Sequence, residues 1–355
     1  MVRRFIVAGG GTAGHIEPAL AVADAIIAQD PNASCEFLGT DGGLEKLLVP
    51  KRGYMLRTIP KVTLPRTLSL ANLLFPIRLL LAIAKTIREI RGATALIGFG
   101  GYVAAPAYLA ASLLRIPIVI HEANAKPGWA NRLGRHFAKF TAVNFAEVQR
   151  NWPSAIVTGM PIRKSLSSVV AMSDKSTFRN LHAQSWGFDP LQPIVAIFGG
   201  SQGSAHINKV IADYVSDGCE FQIIHAVGIN NPLPEARPNY LPMPYFHDMA
   251  AIYGTADLLI TRSGAVTCSE LAALGKYSIL IPLPHGNGEQ IDNARSLVAN
   301  GAAVMVTNDE FSSTWLRTNL AQAVANASRS TLRPETTNLR AADRIAELTL
   351  QLVNS

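Results

Sequence analysis

His15 is the first residue whose type and position indicate chemistry. It follows a glycine-rich run, residues 9–14, which fits Gly-x-Gly-x-x-Gly and comes directly after the apolar residues 5–8. Glycines at a helix start let backbone N–H groups approach an anion, and a histidine with an unperturbed pKa near ~6.5 suits a general base. The segment predicts a ligand loop with His15 as a base. A ligand-free turn with a helix-capping histidine is the plainer alternative, and Asp41 also keeps a dinucleotide dehydrogenase open.

A second loop of the same kind follows the apolar residues 194–198. Its pattern is Gly199-x-Ser201-x-Gly203, which suits a diphosphate cradle built from backbone N–H groups and the Ser201 hydroxyl. The same pattern is the nucleophile elbow of serine hydrolases, and Asp257 and His285 follow in the order of a catalytic triad. Two glycine loops in one chain favour the cradle.

The segment from Thr261 to Glu270 comes after another apolar run and opens a predicted helix. Its small residues allow a ligand close to the helix start, where the helix dipole favours phosphate. The Glu270 carboxylate could accept both hydroxyls of a ribose. The alternative is a capping box in which Thr267 caps the helix and Glu270 lies three residues on.

Other polar residues follow strands in the same way. Glu122 and Asn124 end one apolar run, Arg163 precedes a polar stretch, and Glu289 and Gln290 lie in a glycine-rich loop. A guanidinium such as that of Arg163 suits a pyrophosphate. No Asp-x-Asp, His-x-x-His or Cys-x-x-Cys motif occurs, so no metal site is predicted.

These loops need parallel sheets to position them. Short apolar runs alternate with helical patterns along most of the 355 residues, which predicts an α/β protein with two Rossmann-like domains and a cleft between them. We expect a first domain over residues 1–164, a second over 165–337, and a closing helix over 338–355 that packs back toward the first. Residues 165–193 are polar and are interpreted as the link between the domains.

Charge and hydropathy indicate a membrane surface as a partner. Residues 1–165 carry an excess of basic side chains and residues 166–355 an excess of acidic ones, within a net charge of +7. No apolar run reaches the roughly 18 residues of a membrane span, and the start of the chain lacks a signal peptide's apolar region. Aliphatic and basic residues interleave within residues 61–91, which favours anionic lipid over nucleic acid. The predicted membrane contacts are Leu73, Leu74, Phe75, Arg78 and Lys85.

Taken together, six segments resemble one enzyme family. They are Gly10-Gly11-Thr12-Ala13-Gly14-His15-x-x-Pro18, Gly98-x-Gly100-Gly101-Tyr102, His121-Glu122-x-Asn124, Gly199-Gly200-Ser201-Gln202-Gly203, Arg262-Ser263-Gly264-Ala265-x-Thr267-x-x-Glu270 and Glu289-Gln290-x-x-Asn293. Their order and spacing are similar to those of the MurG family, the N-acetylglucosaminyltransferases of peptidoglycan synthesis. The resemblance implies a GT-B fold and metal-independent, inverting transfer of N-acetylglucosamine from UDP to undecaprenyl-pyrophosphoryl-MurNAc-pentapeptide (lipid I), without a cofactor.

The resemblance also implies residue roles. His15 or Glu122 would be the base, Glu270 would bind the ribose, and the backbone at Phe246 would bind uracil. The full implied UDP-N-acetylglucosamine site is Thr12, Ala13, Gly14, Asn124, Arg163, Ser201, Gln202, Phe246, Ala265, Val266, Thr267, Cys268, Ser269, Glu270 and Gln290.

The implied location is the cytoplasmic face of the bacterial membrane, with lipid I, anionic lipid and the proteins of cell-wall synthesis and division as partners. A UDP-sugar epimerase of the same fold stays open as the alternative function. A scaffold without catalysis would leave the second set of motifs unused.

Overall fold

The computed structural model describes residues 2–62, 75–285 and 287–354. The chain divides into two compact units. The first unit joins Met1–Arg163 to Thr337–Ser355, and the second is Lys164–Thr336. Each unit is built on its own parallel sheet.

The first unit has a seven-stranded parallel sheet in the order β3-β2-β1-β4-β5-β6-β7. Its strands are β1 (Arg3–Ala8), β2 (Ala33–Gly39), β3 (Met55–Thr58), β4 (Ala95–Gly98), β5 (Ile118–Glu122), β6 (Phe140–Val143) and β7 (Ile156–Val157). The central strands β4 and β5 are buried along their whole length, as expected for a parallel sheet covered by helices on both faces. The order reverses between β1 and β4, so the loops after these two strands diverge and leave a crevice at the carboxyl edge.

Helices cover this sheet. They are α1 (Ala13–Gln29), α2 (Glu45–Lys51), α3 (Phe75–Ile90), α4 (Ala104–Leu113) and α5 (Trp129–Gly134), with a 3₁₀ turn at Ala146–Arg150. The helix α13 (Ala341–Asn354) follows a 3₁₀ turn at Thr336–Arg340 and packs against α1, β4 and β5. Its Ile345 and Ala346 are fully buried in one cluster with Phe5, Val7 and Ile16.

The second unit has a six-stranded parallel sheet in the order β10-β9-β8-β11-β12-β13. Its strands are β8 (Ile194–Phe198), β9 (Gln222–Ala226), β10 (Tyr240–Met243), β11 (Leu258–Thr261), β12 (Ser278–Leu280) and β13 (Ala303–Met305). Its helices are α6 (Ser165–Ala171), α7 (Lys175–Ser185), α8 (Ala205–Val215), α9 (Met249–Thr255), α10 (Ala265–Leu274), α11 (Glu289–Ala299) and α12 (Ser313–Arg329). The reversal lies between β8 and β11.

The α/β prediction with two Rossmann-like sheets is confirmed, and residues 165–193, interpreted above as the link into the second domain, are largely helical. That segment contains α6 and α7, which pack against α9, while α6 also contacts α10 of the second unit. Its polar composition reflects helices with one covered face, since Leu166, Val169 and Ala183 are buried. Among the described residues, no helix combines the length and apolar character needed to cross a bilayer.

Candidate active site

The first glycine loop joins β1 to α1. Gly11 has φ +92°, a conformation that side chains rarely adopt, and Thr12 is the N-cap in an extended conformation. The Thr12 hydroxyl lies 3.1 Å from His15 Nδ1. Burial lowers the pKa of His15, while a hydrogen bond with the Gly10 carbonyl and the charge of Glu45 act in the opposite direction. The ring is thus biased toward the neutral form that a general base requires.

Glu45 supports this loop, and the sequence interpretation did not find it. Its side chain is fully buried at the start of α2. One carboxylate oxygen accepts the Gly11 N–H at 2.9 Å, and the other accepts the backbone N–H and hydroxyl of Thr40 at 2.8 and 2.9 Å. A Cβ at Gly43 would lie 2.0 Å from the same carboxylate, so the glycine leaves room for the acid. Burial raises the pKa of Glu45, but these hydrogen bonds outweigh burial and leave it lowered.

The loop after β4 meets the glycine loop at the crevice. A Cβ at Gly101 would lie 2.4 Å from the Gly10 carbonyl oxygen, and one at Gly100 would lie 3.6 Å from His15 Nε2. Both glycines have positive φ. The Tyr102 ring lies against Gly11, with Lys61 Nζ 4.5 Å from its centroid. Two adjacent strand ends therefore enclose the His15 ring.

Glu122 ends β5 and is almost completely buried. Its Oε1 accepts the Asn124 N–H at 2.9 Å, and its Oε2 accepts the Gly128 N–H at 3.1 Å and Asn131 Nδ2 at 3.0 Å. Burial raises the pKa of Glu122, against these hydrogen bonds. Both oxygens thus hold the loop between β5 and α5.

Arg163 is the last residue of the first segment of the first unit. Its guanidinium lies 3.8 Å from the Glu17 carboxylate, two residues beyond His15 on α1. Ala13 and Gly14 form the first turn of α1 and are partly exposed, and Thr12 is exposed. The structure brings Thr12, Ala13, Gly14, His15 and Arg163 to one side of the sheet, the carboxyl edge.

The second glycine loop joins β8 to α8. Gly200 and Gly203 have φ +92° and +74°, and a Cβ at Gly203 would lie 1.9 Å from the Val227 carbonyl oxygen. Ser201 is partly exposed and Gln202 is exposed. The loop thus requires glycine and presents both polar side chains at the carboxyl edge.

The helix α10 starts at this same edge, next to the reversal. Its N-cap is Gly264, which makes no side-chain cap hydrogen bond, and a Cβ at Gly264 would meet nothing within 4 Å. The capping box with Thr267 as cap is wrong, because Thr267 is the third residue of the helix. The open approach leaves the first-turn N–H groups of Ala265 to Thr267 facing the space that an anion would take.

Glu270 is buried on α10, and the sequence interpretation missed its partner. The hydroxyl of Tyr253, on α9, donates a hydrogen bond to Glu270 Oε2 at 2.9 Å. Tyr253 is itself fully buried and packs edge-on against Phe198. The remaining predicted residues of this helix differ in exposure: Cys268 and Ser269 are buried, and Val266 is partly exposed.

Two further predicted donor residues belong to this unit. Phe246 follows β10, is buried, and packs edge-on against Phe198 at 6.0 Å between ring centroids. Gln290 is the second residue of α11, and its side-chain oxygen accepts the Leu283 N–H at 3.0 Å. Both follow strand ends at the carboxyl edge.

The alternative serine triad is wrong. Asp257 directly precedes β11, at the amino edge of the sheet, and Ser201 follows β8 at the carboxyl edge. Asp257 pairs with Arg179 at 2.9 Å and accepts the Ile194 N–H. Its carboxylate therefore has a structural partner at the opposite edge from Ser201.

Of the predicted membrane residues, Leu73 and Leu74 lie outside the described residues. Phe75, Arg78 and Lys85 belong to α3, which buries Ala82, Thr86 and Ile90 against the first unit. Its other face exposes Ile77, Leu80 and Leu81 by 55%, 65% and 62%, together with Arg78, Lys85 and Arg88. Across the described part of the chain, no cluster of three metal-ligating side chains occurs.

Comparisons with known proteins bear on this architecture. The glycosyltransferase family 28 N-terminal domain matches residues 5–143, and the family 28 C-terminal domain matches residues 194–349. The UDP-N-acetylglucosamine--N-acetylmuramyl-(pentapeptide) pyrophosphoryl-undecaprenol N-acetylglucosamine transferase of Corynebacterium efficiens is 44% identical over 329 residues. That match covers 90% of this chain and 88% of the relative.

Solved structures agree. Acinetobacter baumannii MurG has a TM-score of 0.70 at 27% identity, covering 98% of this chain and 99% of its own. A UDP-GlcNAc 2-epimerase from Neisseria meningitidis has a TM-score of 0.61 at 14% identity, covering 98% of this chain and 99% of its own, which is a likeness of fold alone. Both family 28 domain models match the chain, and the Corynebacterium efficiens transferase is 44% identical to it over nine-tenths of its length. These matches confirm the resemblance drawn from the motifs: the chain belongs to glycosyltransferase family 28.

Proposed function

We propose that the protein transfers N-acetylglucosamine from UDP-N-acetylglucosamine to the 4-hydroxyl of the muramoyl sugar of lipid I, giving lipid II for peptidoglycan. The observation that carries this proposal is the loop set of the second unit. A glycine loop with positive φ angles, an uncapped helix start and a buried carboxylate follow neighbouring strands at the sheet reversal. This combination suits a nucleoside diphosphate, and the transferases at over 40% identity carry the matching name.

Within the second unit, each part of the donor has a suitable partner. Backbone N–H groups of the Gly199–Gly203 loop and of the α10 start suit the diphosphate, with the Ser201 hydroxyl as a further donor. Glu270, fixed by Tyr253, suits the ribose hydroxyls. Phe246 suits uracil through its backbone, and Gln290 suits the sugar.

The first unit supplies the base, and the local geometry favours His15 over Glu122. Glu122 uses both oxygens to hold its own loop, so removing a proton from a substrate would break those hydrogen bonds. His15 is partly exposed, and the Thr12 hydroxyl lies 3.1 Å from its Nδ1 and orients the ring. Burial also favours its neutral form.

The reaction is a single displacement. His15 takes the proton of the acceptor 4-hydroxyl, the oxygen forms a bond to the anomeric carbon, and the bond from that carbon to UDP breaks. The α-linked donor gives a β-1,4 product because attack and departure occur on opposite faces. Backbone N–H groups of the second unit stabilise the departing diphosphate, and Arg163 of the first unit is the guanidinium that the family resemblance assigns to the donor, so the proposed mechanism requires no metal ion.

The lipid acceptor requires a membrane surface. The exposed face of α3 joins three aliphatic side chains to Arg78, Lys85 and Arg88, which suits shallow binding to anionic lipid. We propose peripheral binding at the cytoplasmic face of the cell membrane, with proteins of cell-wall synthesis and division as further partners.

The test is transfer of labelled sugar from UDP-N-acetylglucosamine to a short-chain lipid I analogue with EDTA present. We expect labelled lipid II and free UDP. Label appearing as UDP-N-acetylmannosamine would favour an epimerase. A folded protein that binds UDP but transfers nothing would refute the acceptor assignment.

A further inference from the structure

Arg262 joins four strand ends of the second unit. It directly follows β11 and is 8% exposed. One terminal nitrogen donates to the carbonyl oxygens of Ile281 and Pro282, both at 3.1 Å. The other donates to Ser204 Oγ at 2.7 Å and Asn308 Oδ1 at 2.9 Å. The side chain therefore connects the loops after β8, β12 and β13 to the end of β11.

The charge of this guanidinium has no protein counter-ion in the part of the chain that the structure describes. All four acceptors are neutral oxygens, and the buried Nε has no hydrogen-bond partner. Burial lowers the pKa of Arg262, and no neighbouring carboxylate opposes that effect. An arginine stays charged even so, and a buried charge without an opposite partner is costly.

Arg179 provides the contrast within the same unit. It also connects loops, through the carbonyl oxygens of Pro190, Gln192 and Thr255. Yet it pairs with the Asp257 carboxylate through two nitrogens at 2.9 and 3.0 Å. The guanidinium at the amino edge is neutralised, whereas the one at the carboxyl edge is not.

The position of Arg262 indicates which kind of ligand supplies the missing negative charge. Ser204, its closest acceptor, follows the Gly199–Gly203 loop and caps α8 by accepting the Ile207 N–H. Arg262 itself lies two residues before Gly264, the N-cap of α10. Its charge thus sits between the two elements to which the donor diphosphate is assigned.

We infer that Arg262 is a positioning residue for a nucleoside diphosphate: it fixes the loops around the diphosphate and supplies the buried positive charge that this ligand completes. The inference rests on the proposed function, because it requires the donor on the second unit. A fixed cation at this edge also favours departure of UDP, whose negative charge grows as the sugar leaves.

Asn308→Asp tests the charge without removing Arg262. The new carboxylate keeps the 2.9 Å contact to the guanidinium and gives it a counter-ion. We expect UDP affinity, measured by calorimetry, to fall by roughly tenfold or more, while uridine affinity, measured by competition NMR, is unchanged. Asn308→Ala, which removes the contact without adding charge, is the matched control and retains the UDP-to-uridine affinity ratio.

Three arginine variants distinguish the effect of the positive charge on UDP affinity from the effect of the contacts that the side chain makes to the loops. Arg262→Met should lose UDP affinity by a similar factor and keep uridine affinity. Arg262→Lys keeps the charge but loses the forked geometry of the guanidinium. The UDP-to-uridine affinity ratio of this variant should therefore stay within about threefold of wild type, even if the variant unfolds at a lower temperature. Arg179→Gln breaks a comparable set of loop contacts and should leave the ratio unchanged.

Each outcome is decisive. If folded Asn308→Asp and Arg262→Met bind UDP relative to uridine as wild type does, Arg262 is only structural and the inference is wrong. If Arg262→Met does not fold, Asn308→Asp decides alone. A wild-type protein that binds no UDP would instead refute the donor assignment, and the inference with it.

Discussion

The Glu45 carboxylate accepts the Gly11 N–H at 2.9 Å, so a buried acid on α2 fixes the loop that carries His15. Glu122 does the same for the loop after β5, through the N–H groups of Asn124 and Gly128. In both cases the acceptor is a side chain because the loop has no neighbouring strand to pair with. Loops that bind and release ligands need such fixed supports.

Glu45→Gln should lower both stability and turnover. The amide group would place an N–H₂ against either the Gly11 N–H or the Thr40 donors, which costs about 1–3 kcal/mol. Urea unfolding measures the loss, and kcat should fall more than KM rises. The exposed Glu347→Gln variant is the control. Unchanged stability would show that the loop holds itself without Glu45.

His15 should set the acid limb of the pH–rate profile. Its pKa is lowered from 6.5, so the ring is neutral at pH 7 and activity is lost only as pH falls through that lowered value. The limb of kcat/KM should therefore lie below pH 6.5. A limb above that pH in the wild-type protein would contradict the burial argument.

His15→Ala should reduce kcat by roughly 10²–10⁴-fold, the usual effect of removing a general base. UDP binding, measured by calorimetry, should be unchanged because the loops proposed to bind the donor belong to the second unit. His136→Ala, at an exposed position of the first unit, should retain full turnover. A His15→Ala enzyme with wild-type kcat would remove His15 from the mechanism.

Glu122→Gln should behave as a structural variant. Because the acid accepts four hydrogen bonds and donates none, an amide at this position should cost about 1–3 kcal/mol in the free energy of unfolding. Residual turnover should keep the wild-type pH limb, since His15 is still present. A fully stable Glu122→Gln protein that has lost only kcat would instead identify Glu122 as the base.

Gly203→Ala and Gly218→Ala form a matched pair. Both glycines have positive φ, so each alanine costs about 1–2 kcal/mol of backbone strain. At Gly203 the new Cβ would also lie 1.9 Å from the Val227 oxygen, whereas at Gly218 it meets nothing within 4 Å. Only Gly203→Ala should lose UDP affinity, and equal affinities would refute the cradle.

The exposed face of α3 should govern vesicle binding. We expect the triple variant Ile77→Ser, Leu80→Ser, Leu81→Ser to lose most of its co-flotation with anionic vesicles. The control is Leu191→Ser, which changes a residue of the second unit that is 88% exposed. Flotation of the triple variant equal to wild type would show that α3 does not contact lipid.

The sequence predicts the two sheets better than the buried side chains that hold the loops in place. The apolar run at residues 194–198 predicts β8 with its observed bounds, because a strand buried on both faces is continuously apolar. The short edge strands β3, β7 and β10 lack such a run, so their residues do not indicate a strand in the same way. The glycine loops are predicted directly from their runs of glycine at residues 9–14 and 199–203. Glu45, Tyr253 and Arg262 could not be assigned, because each acts through a residue distant in sequence: 34 positions in the case of Glu45 and Gly11.

The placement of α13 determines when the first unit can finish folding. Ile345 and Ala346 belong to a cluster that contains Phe5 and Val7, and Asn338 accepts the Met160 N–H at 2.9 Å. During synthesis, the ribosome must therefore release all of the second unit before the first core is complete. Until α13 has been made, Phe5, Val7 and Ile16 lack the apolar side chains of α13 that share their cluster, and transiently exposed apolar surface of this kind makes a partly folded chain prone to aggregation.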